Sequence, residues 1–275
     1  MTMQCKGKLI DLSRPKIMGI MNLTPDSFYD GGKNTEIKEI LQKTEHMLFH
    51  GMDILDIGGQ TTRPGANRIS ADEELSRIMP VLTEILHNFP EIIVSIDTFW
   101  SQVARETIAA GAAMINDISA GSIDEKMFDT IADLQVPYIL MHMQGEPKSM
   151  QNNPEYEDVV LEVNQFFSEK IGQLKQRNIN DIILDPGYGF GKTLEQNFTL
   201  LKNQKLLGFG EFPILTGISR KSMICKALNT NPINALNGTT ALHMLALQNG
   251  ASILRVHDVK EVAECIKLFE MYKKV

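Results

Sequence analysis

Eight short apolar runs in this 275-residue chain each stop at a glycine or at a polar side chain able to do chemistry. Residues 16–21 stop at Asn22, 52–55 at Asp56 just before Gly58 and Gly59, and 92–96 at Asp97. Residues 113–115 stop at Asn116 and Asp117, 138–141 at His142, and 182–184 at Asp185. Residues 212–216 stop at Gly217, and 253–254 at Arg255 and His257. An apolar run this short, bounded by turn residues, fits a strand buried on both faces. The runs recur roughly every 35 residues, about the length of one strand–helix unit. The pattern predicts eight parallel strands delivering polar groups to one surface. The expected fold is an α/β protein of the (β/α)8 barrel type, with its chemistry at the C-terminal strand ends. A doubly wound open sheet would call for a Gly-rich fingerprint after the first strand, and residues 18–26 contain none.

Amphipathic stretches of helical length lie between the runs. Residues 36–50 place Ile37, Ile40, Leu41, Met47 and Leu48 near a 3.6 period. Residues 71–87 follow Ser70, which with Glu73 has the spacing of a capping box. Residues 155–177, 234–248 and 259–272 complete the set, and Asn249-Gly250 is a helix stop. Residues 8–11 are expected to form an extra strand outside the repeat. No linker or composition shift divides the chain, so one domain over 1–275 is expected.

The net charge of −7 argues against general nucleic-acid binding but leaves room for a local anion site. Three scattered cysteines without a CxxC pair argue against a disulfide framework or structural zinc. The first sixteen residues have no apolar signal core. The longest uncharged stretch, 227–254, carries five asparagines, a proline and a glutamine, so it does not read as a membrane span. The expected location is the cytoplasm.

Two loops at strand ends, 23–35 and 57–69, are long and rich in Gly, Pro and polar residues, as expected of mobile lids. Asp97 and Asp185 end strands free of other charges. Each reads equally well as a cap for the following helix or as a ligand group. With Asn116, which both donates and accepts, the shared-ligand reading is favoured, and the set suits the edge of an aminopyrimidinone-type ring. A carboxylate at the mouth also stabilises a developing cation. Arg63, Arg220, Lys221, Arg255 and His257 read singly as solvated charges. Together, in an acidic chain, they suggest an anion pocket, strengthened by Ser219 and Ser222 at a helix start. Residues 187–193 approach a phosphate-loop pattern, but Pro186 stands where its first glycine belongs. The glycines there are expected to let backbone or ring faces approach a flat ligand. His142 is expected to pack or stack rather than bind metal or act as a base. His46, His50, His87 and His243 are expected to be structural. Asp53 is expected to make a loop or barrel-end hydrogen bond, and Asp56 has no assigned role.

Taken in order, these segments resemble the dihydropteroate synthase family over nearly the whole chain. The carriers are GIMNLTPDSF at 19–28 with DGG at 30–32, DIGG at 56–59 with TRPG at 62–65, and SIDT at 95–98. IND at 115–117, LMHM at 140–143, DPG at 185–187 with GFGKT at 189–193, SRKS at 219–222 and RVHDV at 255–259 complete them. The resemblance implies a (β/α)8 barrel joining 6-hydroxymethyl-7,8-dihydropterin diphosphate to 4-aminobenzoate in folate biosynthesis. It implies Asp97, Lys221 and Asn22 as catalytic residues. Asp97, Asn116, Ile118, Met141, Asp185, Phe190, Gly217 and Lys221 would hold the pterin. Asn22, Thr62, Arg255 and His257 would hold the diphosphate, with Asn22 also binding Mg2+. Phe28, Arg63, Pro64, Phe190, Lys221 and Ser222 would surround 4-aminobenzoate, and Asp26 would help organise the closed first loop. The resemblance further implies a homodimer through helices late in the chain, a sulfonamide target, and no nucleic-acid or membrane partner. One departure stands out: Gln60-Thr61 occupies the place of the family's Glu-Ser. A methyltetrahydrofolate-binding methyltransferase domain is an alternative, but it would not need the TPDSF, TRPG, SRKS and RVHDV strings. A non-catalytic pterin-binding barrel is another, and it would be expected to lose residues of the diphosphate site.

Overall fold

Glycine and positive-φ residues build the entry to the fold. β1 (Thr2–Cys5) and β2 (Lys8–Asp11) pair antiparallel around Lys6 and Gly7, at φ 50° and 70°. Two left-handed residues in a two-residue turn match the twist of a tight hairpin. The strand expected at 8–11 is therefore present, and β1 is the partner it required. The structure, a computed structural model, describes residues 1–23, 33–60, 68–145 and 154–274.

The eight expected strands are β3 (Lys16–Asn22), β4 (Ile54–Gly58), β5 (Ile93–Asp97), β6 (Met114–Asp117), β7 (Tyr138–Met141), β8 (Ile182–Asp185), β9 (Ile214–Thr216) and β10 (Ala251–Val256). They close in sequence order, with β10 pairing β3 and every pair parallel. Met18, Ile54, Met114, Ile139, Ile183, Leu215 and Ile253 form one buried cluster, joined by Met3, Cys5 and Leu12 of the hairpin and its exit. The hairpin thus packs on the barrel's own core. A larger cluster, including Leu55, Val94, Ile115, Leu140, Leu184 and Leu254, packs against the helices. Alternate strand residues serve the two cores, because successive side chains point to opposite faces.

Register sets the site. Asn22 is paired with Gly58, Gly58 with Asp97, and Asp97 with Asn116, so these four share one rung. Two strands further on, Met141 is paired with Asp185. At the opposite end, Asp53 accepts from Ile17 N at 2.8 Å and Lys16 Nζ at 3.2 Å, the barrel-end bond expected of it.

Five helices follow the expected periodicity: α1 (Lys33–Phe49), α2 (Ala71–Asn88), α5 (Val159–Lys175), α8 (Leu236–Gln248) and α9 (Val259–Lys273). Ser70 accepts from Glu73 N at 3.2 Å, but the Glu73 side chain turns to Arg77 at 2.6 Å, so only half the capping box forms. α5 begins later than residue 155, because Asp158 caps it through Val160 N and Leu161 N. The four shorter helices, α3 (Ser101–Ala109), α4 (Met127–Leu134), α6 (Leu194–Lys202) and α7 (Ser222–Ala227), had no clear period because each makes under three turns. A reciprocal capping box between Thr193 and Gln196 opens α6. The expected loops after the first two strands fall largely on 24–32 and 61–67, outside the described residues. Among the described residues, no helix is long and apolar enough to cross a membrane.

His243 of α8 is fully buried and neither ring nitrogen has a hydrogen-bond partner among the described residues. Burial pushes its pKa from 6.5 down to about 4, with Asp258 opposing. As pH falls below the unfolded value of 6.5, the unfolded chain takes up a proton that the folded chain refuses until about 4. The stability present above pH 6.5 is therefore lost over that interval, up to about 3 kcal/mol for this group. His243→Met is expected to flatten that acid loss in denaturant titrations; an unchanged slope would assign it to other groups.

Candidate functional site at the barrel mouth

Asp56, left without a role by the sequence, holds the centre. Its side chain is fully buried on β4. Arg255 on β10 reaches across, donating from Nε to Asp56 Oδ2 at 2.6 Å and from Nη2 to Asp97 Oδ2 at 2.7 Å. Asn116 Nδ2 donates to the same Asp56 oxygen at 3.1 Å. One planar guanidinium thus bridges two carboxylates on neighbouring strands. Asp56 Oδ1 is buried with no hydrogen-bond partner among the described residues.

Beside this ionic centre lies an apolar wall. Phe99, Ile118 and Met141 are buried together, with Trp100, Met143 and Phe190 packed against them. Lys221 Nζ stands 4.7 Å from the Phe190 ring centroid and donates to the Tyr188 carbonyl. At Gly217 a Cβ would lie 3.9 Å from Arg255 Cβ and 4.0 Å from Lys221 Nζ, so glycine keeps that side of the slot open. The structure therefore brings together Asp97, Asn116, Ile118, Met141, Phe190, Gly217, Lys221 and Arg255. Asp185 faces the same cations and also accepts from Gly187 N at 2.7 Å. It caps a turn rather than a helix.

The glycine run after Asp185 shapes this wall. Gly187 has φ +65°, and a Cβ there would fall 1.9 Å from the His142 carbonyl oxygen. Only glycine permits both features. Lys192, buried behind the run, donates to the Gly187 and Phe190 carbonyls at 3.0 Å each, and its Nζ lies 2.9 Å from His142 Nδ1. The segment is a clamp on Phe190, in line with the rejection of a phosphate loop. His142 packs edge-on against Phe166 at 4.8 Å, as expected. Burial and Lys192 push its pKa well down, so it stays neutral and accepts at Nδ1.

The side of the mouth that carries His257, Asn22 and Ser222 is more open. His257 is exposed; Ser219 Oγ accepts from its backbone N at 3.2 Å and lies 3.0 Å from its Nδ1. Asn22 is exposed at the end of β3, and Ser222 is exposed at the start of α7. Arg220 does not join this pocket. It pairs with Asp258 through two 2.8 Å bonds and donates to the Pro232 and Ile233 carbonyls. That corrects its place in the expected basic set. Asp26, Phe28, Thr62, Arg63 and Pro64 lie outside the described residues.

Burial moves Asp97, Asp185 and Lys221 toward neutrality. Burial pushes Asp97 up to about 7 against the pull of Arg255, with Asp56, Asp117 and Asp185 adding to the rise. Asp185 is raised by burial and held back by Lys221. Burial lowers Lys221 to about 8, against the pull of Asp185. A ligand that donates to the carboxylates and accepts from the lysine relieves all three costs.

Removing Arg255 leaves Asp56 buried and uncompensated. Arg255→Met is expected to lower unfolding free energy by about 3 kcal/mol or more, and Asp56→Asn in that background to restore part of it. Denaturant titrations of both variants check this; a loss below about 1 kcal/mol would show that the pair carries little.

Comparison with known proteins shows the family and the fold. A family model described as a pterin binding enzyme matches residues 18–257. The dihydropteroate synthase of Escherichia coli K12 is 43% identical over 272 residues, covering 98% of this chain and 96% of its own. A Yersinia pestis dihydropteroate synthase solved with a sulfonamide drug complex superposes with a TM-score of 0.93 at 41% identity, covering all of both chains. A Xanthomonas albilineans dihydropteroate synthase in complex with 7,8-dihydropteroate gives 0.88 at 36% identity, again over all of both chains.

Proposed function

The chain belongs to the dihydropteroate synthases of the pterin-binding enzyme family, and from that premise we propose how the barrel mouth divides the reaction. The enzyme condenses 6-hydroxymethyl-7,8-dihydropterin diphosphate with 4-aminobenzoate, giving 7,8-dihydropteroate and diphosphate. The observation that carries the assignment is the rung joining Asp97 to Asn116, with Arg255 on Asp97 and Lys221 opposite. Asp97, Asn116 and Asp185 meet the pterin's N–H and carbonyl edge, while Ile118, Met141 and Phe190 take its faces. Arg255, His257, Asn22 and Thr62 receive the diphosphate. Phe190, Lys221 and Ser222, with Phe28, Arg63 and Pro64, enclose 4-aminobenzoate, and Asp26 organises the closed first loop.

The chemistry follows from these placements. The methylene C–O bond breaks with its electron pair leaving on diphosphate. The methylene cation is delocalised into the pterin ring, and the ionised Asp97 stabilises it. The neutral arylamine then attacks that carbon and loses a proton to solvent, so no strong base is needed. Asn22 is the residue that would hold Mg2+. Its exposed position suits an ion that would be carried mainly by phosphate oxygens. When bound, the metal neutralises charge on the leaving diphosphate.

Sulfonamides are expected to compete with 4-aminobenzoate. A homodimer is proposed through neighbouring helices α8 and α9, where Leu245, Leu268 and Met271 are exposed. Leu268→Glu is expected to convert the dimer to a monomer by light scattering; a wild-type monomer would refute this. The reading places the enzyme in the cytoplasm, in keeping with three free cysteines.

The test is diphosphate release from the two substrates together, with and without Mg2+. Asp97→Ala is expected to abolish turnover. Asp97 must be ionised, so activity is lost as pH falls through about 7; Lys221 must be protonated, so it is lost as pH rises through about 8. The profile of kcat/KM for the pterin diphosphate is therefore expected to be a narrow bell. A flat profile across that range would overturn both roles.

A further inference from the structure

Glu74 is a carboxylic acid that the reaction does not use, yet it is fully buried close to the mouth. It sits in the first turn of α2, where Asp72 and Glu73 face solvent and Glu74 turns inward. Its Oε2 accepts from the Thr98 hydroxyl at 2.6 Å, and its Oε1 is buried with no hydrogen-bond partner among the described residues. Thr98 directly follows Asp97, and its Oγ also accepts from Trp100 N at 3.1 Å.

The same acid underlies the end of β4. A Cβ on Gly59 would meet Glu74 Cγ at 3.0 Å and the Glu74 carbonyl oxygen at 3.2 Å. Arg77, one turn on, donates to the Gly59 carbonyl at 2.9 Å. The preceding Gly58 lies against Asp97, where a Cβ would meet Asp97 Cβ at 3.4 Å. From Trp100 the chain of bonds goes on: its Nε1 donates to the Ile69 carbonyl at 3.2 Å, and Ile69 N donates to Gln60 Oε1 at 2.9 Å. Gln60, at the departure from the family pattern, therefore ties the second loop's two ends together.

We propose that Glu74 is a positioning residue that fixes the Asp97 end of β5 against the Gly58-Gly59 end of β4. Geometry favours the neutral acid as pH falls. An ionised carboxyl with one buried oxygen unbonded is costly; the acid keeps Oε2 as the acceptor for Thr98 and leaves only an uncharged hydroxyl unpaired at Oε1. Burial also raises the pKa to about 7; the Thr98 hydroxyl and Arg77 oppose the rise, and Asp97 adds to it. Arg77 and Asp97, of opposite sign, are the charged groups that bear on it.

The inference rests on Asp97 being a pterin ligand, so the first control is Asp97→Ala in the wild-type background. Glu74→Gln keeps the shape and the neutral state. It is expected to hold KM for the pterin diphosphate within about threefold of wild type. Glu74→Leu and Thr98→Val are each expected to raise that KM about tenfold, and the double variant to be no worse than the poorer single one. The raised pKa contributes stability below the unfolded value of 4.5, which is lost as pH rises through about 7. Glu74→Gln is thus expected to remove that decline between pH 4.5 and about 7. A Glu74→Gln variant as damaged as Glu74→Leu would show that the bond to Thr98 does not carry the positioning, and would overturn the proposal. Folded Glu74→Leu and Thr98→Val enzymes with unchanged KM would reduce Glu74 to packing. If Asp97→Ala leaves pterin binding intact, the failure lies in the Asp97 assignment instead.

Discussion

The Arg255 guanidinium makes the polar mouth of this barrel possible. Asp56 is fully buried, and burying a carboxylate costs several kcal/mol unless a partner compensates it. Arg255 supplies that compensation from β10, with β3 lying between it and Asp56. Its rigid fork lets two separate nitrogens serve Asp56 and Asp97 at once, which a lysine could do only as a point charge. Asp97 gives one oxygen, Oδ2, to this bridge. Asn116 completes the arrangement by donating to Asp56, which orients its amide toward the same space.

The strand ends were legible because a polar residue closing an apolar run has few places to go in a closed parallel sheet. Asn116 and Asp117 show the limit of that reading. They are adjacent, yet alternation sends them to opposite faces. Asn116 enters the mouth, while Asp117 accepts from Ser119, Gly121 and the Tyr138 hydroxyl in the shell outside. Asp56 was legible as a strand end but not as a partner, since Arg255 lies 199 residues away and meets it only through closure of the barrel. Arg220 misled for the same reason. Its attachment to Asp258 follows from the packing of the chain after β9 against the start of α9, and nothing local to SRKS indicates it.

Glycine spacing was informative once its purpose was clear. The run at 187–193 looks like a phosphate loop because both need backbone to pass close to something else. Here that neighbour is the protein's own His142 carbonyl, and the lysine at the end of the run turns inward onto carbonyls. Burial lowers Lys192 to about 7 against the pull of Asp185, a cost that three well-placed acceptors offset. What this secures is the position of Phe190, whose ring forms the platform for Lys221.

On the proposed assignment, Arg255 joins the two halves of the reaction. Its Nε and Nη2 are committed to carboxylates, so a diphosphate must either use the remaining edge or draw the guanidinium away from Asp97. Any such movement removes the charge that holds Asp97 ionised against its burial. The ionic bridge that stabilises the barrel mouth is thus also what keeps Asp97 available as a carboxylate.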